Sequence, residues 1–416
     1  LKRNKDYLLT DQIGKNGLEF FYEDILRGKY GKIETEVSSL GEKEREIFSS
    51  SAKPGKNLVL FLNYGLQKKI TEVVMNHFSD RRFIRGAVVA MDPRSGGILA
   101  MQSFPVYDSN TFSNGLNQDD FEYLFENSNK PLFNRTSGGL YPSGSTIKPY
   151  IAVAGLEEAI IDENTTINVT GGITVANQYF DDRPHGIVDV KRAIAVSSNL
   201  FFYSTGGGYG EIDGLGPYLI KEYLNRFGFG ALTNIDLPGE QEGLVPDPAW
   251  KKENRGEKWF IGDTYNTSIG QGDFLATPLQ MASAVSALVN NGTLLKPRIV
   301  KSVANQDLTE FETTNPEIIN KNIASQKSFK LVKEGMRMAV SEGSAGLLEY
   351  LPVKAAGKTG TAQSQKGKEP HAWFTSFAPY ENPEIVLVVL IENGGGGSQI
   401  AVPISYDILD WYFKNR

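Results

Sequence analysis

The chain has 416 residues, 40% of them hydrophobic and 22% charged, enough for two or three domains or for one large domain with an appendage. Its net charge of −6 and the lack of any lysine or arginine run leave no electrostatic footprint for nucleic acid, so that class of partner is excluded. The absence of cysteine removes a thiol nucleophile, a disulfide framework and a cysteine zinc site. With only His77, His185 and His371 and no G-x-S-x-G elbow, a Ser-His-Asp hydrolase is disfavoured.

The opening LKRNKDYLLT carries no methionine, signal peptide or anchor, so the chain is expected to be processed or trimmed. Residues 1–56 are polar and nearly charge-balanced and close on SSSAKPGK, which places a boundary near Lys56 between an appendage and a domain over 57–416. GLQKKITEVVMNHF (65–78) sets Leu66, Ile70, Val73, Val74 and His77 at helical spacing, His77 as a partly covered helix residue. GAVVAMDPRSGGILAMQS (86–103) reads as a hairpin about a D-P-R-S-G-G turn. Residues 141–345 read as mainly helical segments and loops, among them GLGPYLIKEYLNRFGFG and TPLQMASAVSALVNNG. KTGTAQ (358–363), HAWFTSFAP (371–379) and EIVLVVLIEN (384–393) are strand-like, and AVPISYDILDWYFK (401–414) is an amphipathic helix. IVLVVLI is far too short to cross a bilayer. These elements predict an α+β fold: an antiparallel sheet from both chain ends, flanked by helices and enclosing a large helical insertion.

YPSGSTIKPY (141–150) puts Ser145 and Lys148 three residues apart, on one face if the segment is helical. Such a spacing arises by chance about once or twice in a chain of this length. The other copy, Ser50 with Lys53, lies in a proline- and glycine-bearing loop without a shared helical face. A lysine kept neutral can take the serine proton and make the hydroxyl a nucleophile. Further along, AVSSNLFFY (195–203) supplies Ser197 and Asn199, and AAGKTGTAQ (355–363) supplies Lys358, Thr359, Gly360 and Thr361.

The order S-x-x-K, S-x-N, K-T-G is closely similar to the signature of penicillin-binding proteins and class A β-lactamases. From about Gly14 onward the chain resembles a class B penicillin-binding protein, a monofunctional D,D-transpeptidase of cell-wall synthesis. GKNGLEFFYEDILRGKYGK is similar to the family's pedestal, or dimerisation-type, signature. AMDPRSGGILAM, SIGQGDFLATPLQMA and ENGGGGSQIAVPI are similar to its catalytic-domain landmarks, and YPSGSTIKPY with HAWFTSFAP leans toward the elongation, rod-shape branch. The resemblance implies a membrane-anchored protein on the extracytoplasmic (periplasmic) face, with the anchor and the earlier pedestal residues missing from this chain. It further implies peptidoglycan stem peptides as substrates, β-lactam antibiotics as acylating ligands, a SEDS-type membrane glycosyltransferase as partner, and no cofactor.

Chemistry and resemblance assign the same roles. Ser145 attacks, with its hydroxyl at the positive end of a helix dipole. Lys148 takes the proton, its pKa lowered by burial and by Lys358. Ser197 relays a proton to the departing amine, and Asn199 hydrogen-bonds Lys148 and the substrate backbone. Lys358 and Thr359 suit a peptide carboxylate, and Gly360 lets the donor lie along the strand edge as an added strand. Family analogy gives the oxyanion hole as the N–H groups of Ser145 and Thr361.

Competing readings stay open at this point. A serine β-lactamase of class A would carry E-x-x-L-N; the nearest stretch, KEYLN (221–225), has lysine in the glutamate position and Glu222 one place late. A D,D-carboxypeptidase differs only in its acceptor, and a penicillin sensor would acylate without turnover. GKTG lacks the upstream glycine of a phosphate loop, Pro352 standing there instead. DDRPHG (181–186) invites comparison with elongation-type relatives that bind zinc near the second motif. Without cysteine, Asp181, Asp182 and His185 read as a solvated loop and no metal is expected. Trp373, Phe374 and Phe377 are expected to divide between core and cleft wall.

Overall fold

A computed structural model describes residues 7–8, 11–78, 84–313, 315–364 and 367–415. The chain forms two compact units. The first gathers Leu1–Phe61, Asn234–Pro238 and Arg298–Asn315, so it draws on two later excursions as well as the segment expected to stand apart. Lys32–Val37 and Lys43–Ser50 pair as an antiparallel ribbon, and Phe311–Thr313, Val300–Ala304 and Asn57–Leu60 make a three-stranded sheet in that order. Asp236 joins the pieces: its carboxylate accepts from the Ile299 and Val300 N–H groups at 2.7 and 2.9 Å and from the Tyr22 hydroxyl at 2.9 Å. Ser50 ends a strand and Lys53 bridges Lys29, so neither shares a helical face.

The second unit, Leu62–Thr233, Gly239–Pro297 and Pro316–Arg416, is built on a five-stranded antiparallel sheet. Its strands are β1 (Gly86–Asp92), β2 (Gly97–Phe104), β3 (Ala356–Ala362), β4 (His371–Ala378) and β5 (Ile385–Ile391), in the order β3-β4-β5-β1-β2. Both ends of the chain thus supply it, as the apolar runs and the D-P-R-S-G-G turn predict. Every residue of β5 is buried, which a strand covered on both faces requires. Ile385, Leu387, Val389 and Ile391 meet one core with Leu66, Ile70 and Val74 of the helix Tyr64–Asn76 and Ile404, Ile408 and Leu409 of the helix Ala401–Lys414. The other face carries the helix Pro278–Val289, buried throughout and opened by a Thr277–Gln280 capping box.

The insertion is less purely helical than its sequence suggests. Besides the helices Lys148–Glu157, Val190–Val196, Asn199–Gly207, Gly216–Arg226 and Gln326–Ser341, it holds two small hairpin-like pairs: Ile167–Val169 with Gly186–Val188, and Ile173–Val175 with Gln178–Phe180. Three-residue strands have too little alternation to register in a sequence. Among the described residues no helix is long and apolar enough to cross a membrane.

Candidate active site

Ser145 lies in a single 3-10 turn, Gly144–Ile147, that runs directly into the helix starting at Lys148. The approach to it is held from three sides. Tyr141 bridges Ala276 in both directions at 3.0 and 2.9 Å, the Trp373 indole N–H donates to the Pro142 carbonyl at 3.0 Å, and the Gly144 N–H donates to Gly270 at 2.9 Å. Gly144 has φ +54° and a Cβ there would stand 2.9 Å from the Thr361 carbonyl oxygen, so only glycine lets the serine turn close onto β3.

Lys148 is fully buried. Its Nζ donates to Asn199 Oδ1 at 2.6 Å, to the Ser197 carbonyl at 2.7 Å and to Ser197 Oγ at 3.3 Å. Burial drives its pKa well below the lysine range, the Lys358 charge pushes the same way, and Asp182 pulls it back upward. Lys358 is likewise buried, and burial lowers it to about 7. Its Nζ donates to the Thr359 carbonyl at 3.1 Å. Ser197 adopts φ 63°, ψ 37°, a left-handed conformation between two helices that turns its carbonyl and hydroxyl together onto the Lys148 amine.

Ser145, Ser197, Asn199, Thr359 and Thr361 line one cavity of about 1000 Å³. The strand of Thr359 and Thr361, β3, is an edge of the sheet, leaving one row of backbone groups unpaired by any described strand. Gly360 does not face this space: a Cβ there would meet the Ser143 carbonyl oxygen at 2.8 Å, Thr146 at 2.9 Å and Trp373 at 3.0 Å. It brings the serine turn against the strand, a packing reason distinct from the substrate approach expected of it. Trp373, Phe374 and Phe377 are all fully buried, so none forms cleft wall, although Trp373 backs the serine segment.

Sequence reasoning missed Asp182. It is buried, not solvated, and its carboxylate accepts from Ser198 Oγ at 2.7 Å, from the Leu200 N–H at 2.8 Å and from the Arg183 N–H at 2.8 Å. It therefore anchors the second motif, a role whose partners lie 16 and 18 residues away and leave no local signature. Ser344 was also missed; its hydroxyl is 2.7 Å from Thr359 Oγ1. A zinc ion does not fit the DDRPHG segment: the Asp182 oxygens are taken by three donors, and no group of three histidine, aspartate or glutamate side chains among the described residues is arranged for a metal. His185 Nε2 stands 3.4 Å from Asp182 Oδ1. His371, at the start of β4, is buried and its Nδ1 accepts from the Asn393 N–H at 3.1 Å, a structural placement. His77 caps the helix end and pairs with Asp407 at 2.8 Å.

Residues 86–410 match the penicillin binding protein transpeptidase domain. The chain belongs to that family. Residues 1–60 match the penicillin-binding protein dimerisation domain. The chain is 35% identical to peptidoglycan D,D-transpeptidase MrdA of Haemophilus influenzae over 99% of its own length and 64% of that protein's. It superposes on penicillin-binding protein PBP2 of Helicobacter pylori, solved in complex with MreC, with TM-score 0.83 and 30% identity, covering 97% of this chain and 72% of that one. A chain of a peptidoglycan synthase complex that couples polymerisation to crosslinking superposes with TM-score 0.84 at 31% identity, covering 99% and 72%. Among penicillin-binding proteins it falls with the elongation-type branch, as the motif flanks predict. The chain spans 60% to 65% of the length of the first curated relatives it matches.

Proposed function

We propose that the protein is a peptidoglycan D,D-transpeptidase that joins stem peptides through an acyl-enzyme on Ser145. One observation carries the reading: a fully buried lysine, held by Ser197 and Asn199 of the second motif, stands one helical turn from a serine that lines a large cavity. Neutral Lys148 takes the hydroxyl proton as Ser145 Oγ bonds to the donor's carbonyl carbon. The N–H groups of Ser145 and Thr361 receive the oxyanion. Collapse breaks the scissile C–N bond, and the proton passes through Ser197 to the departing amine. In the second half an acceptor amine bonds to the same carbon, the ester bond to Oγ breaks, and the amine's proton returns to Oγ. Lys358 and Thr359 take the donor carboxylate while the donor lies along the free edge of β3.

The KEYLN helix supports slow hydrolysis of the acyl-enzyme, because Lys221 is engaged with Asp247 at 2.6 Å and Glu222 with Arg226, and neither lines the cavity. The test is intact-mass analysis after incubation with a labelled penicillin: one persistent adduct is expected, absent in Ser145→Ala. Labelling that survives the substitution, or an adduct lost within seconds, refutes the assignment. For the full-length parent we place the work on the outer face of the cytoplasmic membrane beside a SEDS-type glycosyltransferase, a setting in keeping with the MreC and synthase complexes of its relatives. Co-purification of parent and polymerase from membranes checks that partner.

A further inference from the structure

The segment Glu392–Gly397, directly after β5, has no part in the chemistry above, although ENGGGGSQIAVPI stands out in the sequence. It is fastened at both ends. The Glu392 N–H donates to the Arg85 carbonyl at 2.8 Å, and the Gly397 carbonyl accepts at 3.0 Å from the N–H groups of Ala401 and Val402, which begin the last helix. Between these points the segment reaches both sides of the serine site.

On the serine side, Glu392 Oε1 accepts from the Tyr141 hydroxyl at 2.8 Å, in the segment that leads to Ser145. Burial, reinforced by the Glu392 charge, raises the Tyr141 pKa, so the phenol keeps its proton and donates. Its ring stands edge-on to His371 and Trp373 of β4, with centroids 5.5 and 6.2 Å away. The carboxylate is itself fixed, since Arg135 Nε donates to Oε1 at 2.7 Å and Arg85 Nε lies 3.2 Å from Oε2. Arg135 is buried, and its other two nitrogens donate to the carbonyls of Asn129, Lys130 and Phe133. On the strand side, the Gly397 N–H donates to Thr361 Oγ1 at 3.2 Å. A Cβ at Gly397 would run into the carbonyl oxygens of Gly360 and Trp373, so bare backbone lies flush on β3 and β4.

A buried ion cluster is a poor way to gain stability, because apolar residues of the same volume often serve as well or better. What it adds is direction, since a hydrogen bond fixes a group along a line where packing only fills space. The apolar core holds the sheet; this one carboxylate holds the approach to the serine turn against it. Both N–H groups assigned to the oxyanion, those of Ser145 and Thr361, are thereby tied to the same short segment.

Resting on the transpeptidase reading, we infer that Glu392 is a positioning residue for the oxyanion hole: through Tyr141 it fixes the Ser145 N–H against the Thr361 N–H, which the same segment holds through Gly397. Neither Glu392 nor Tyr141 lines the cavity. Formation and hydrolysis of the acyl-enzyme both pass through an oxyanion, so a displaced donor slows both steps by a similar factor and leaves initial binding alone. It also relaxes the pull on the ester carbonyl, whose bond then vibrates at higher frequency.

The test uses rapid mixing with benzylpenicillin isotope-labelled at the lactam carbonyl. It reads the binding constant, the acylation rate constant, the rate of adduct hydrolysis and the infrared band of the ester carbonyl. Tyr141→Phe removes only the hydroxyl and keeps every ion pair. Acylation and adduct hydrolysis should each slow about tenfold or more with binding unchanged, and the band should move to higher wavenumber. Glu392→Gln should do the same, and the double variant should be no slower than Glu392→Gln alone, because one residue acts through the other. Asp407→Asn, which breaks the His77 pair outside the cavity, should match wild type in all four readings. Should Glu392→Gln fail to fold, Tyr141→Phe decides alone. Single variants within about twofold of wild type, effects that multiply in the double, an equal slowing in Asp407→Asn, or a loss confined to binding or to the labelled fraction overturns the inference. A wild type that takes no label refutes the transpeptidase reading beneath it instead.

Discussion

Ser145 and the Lys358–Thr361 strand rest on a scaffold of apolar packing, whereas Ser197, Asn199 and the Asp181–Arg183 segment rest on side-chain hydrogen bonds. On the first side many interchangeable contacts share the work: β5 is buried end to end, and its alternate residues meet two helices on one face while a third helix covers the other. On the second, single atoms decide, since one Asp182 carboxylate holds three donors in place. Damage to packing should therefore cost stability while sparing the geometry of surviving molecules. Damage to the hydrogen-bonded side should cost both.

The largest expected effect sits where the two sides meet. Lys148→Met keeps the volume of the buried chain and removes the amine, and acylation by penicillin should slow roughly 10²- to 10⁴-fold. A drop of less than about tenfold in a rapid-mixing assay would remove Lys148 from the mechanism. Next come paired substitutions that set the two sides against each other. Leu387→Ala leaves a cavity in the core and should lose about 2–5 kcal/mol in denaturant unfolding, with the acylation rate per folded molecule close to wild type. Asp182→Ala strands three donors and should lose about 1–3 kcal/mol, yet slow acylation far more, because Ser198 and Leu200 flank the residues that hold Lys148. If acylation falls equally in both, the contrast between the two sides fails.

The last contrast concerns Lys358. Burial lowers its folded pKa to about 7, while an unfolded lysine titrates near ~10.4. Between these values the unfolded chain binds the extra proton, so stability rises with pH across that window, by at most ~1.4 kcal/mol per unit. Lys358→Met lacks this dependence, and its advantage in stability over wild type should be greatest at neutral pH and shrink toward pH ~9. The same variant removes a charge that helps hold Lys148 down, which should move the acid limb of the acylation profile to higher pH. A stability difference that stays flat with pH, or an unmoved acid limb, contradicts the corresponding half.

The apolar side was legible in the sequence and the polar side was not, for reasons that follow from the same contrast. The unbroken apolar runs in GAVVAMD and EIVLVVLIEN, the turn between β1 and β2, and the helical spacing of AVPISYDILDWYFK are local patterns tied directly to burial. The three motifs could be quoted from the chain, but the bond from Lys148 to Asn199 spans 51 residues and has no periodicity. Asp182 illustrates the loss: an acidic residue in a polar run looks solvated until Ser198 and Leu200 fold back onto it. Residues 300–304 and 311–313 likewise read as part of the insertion, yet 300–304 pairs with Asn57–Leu60 in the other unit and 311–313 pairs with 300–304. Gly360 was marked for attention by its motif, and only the backbone of Ser143 and the side chains of Thr146 and Trp373 reveal why a side chain is barred there.

Ser197 holds a left-handed backbone that costs a serine about 1 kcal/mol and costs glycine almost nothing. Directed evolution of this chain for heat resistance alone would therefore be drawn to Ser197→Gly, a change that relaxes the junction between two helices and discards the hydroxyl 3.3 Å from Lys148 Nζ. Heat-selected libraries should be counter-screened with a fluorescent penicillin at every round, because at this codon the hardiest sequence and the reactive one diverge.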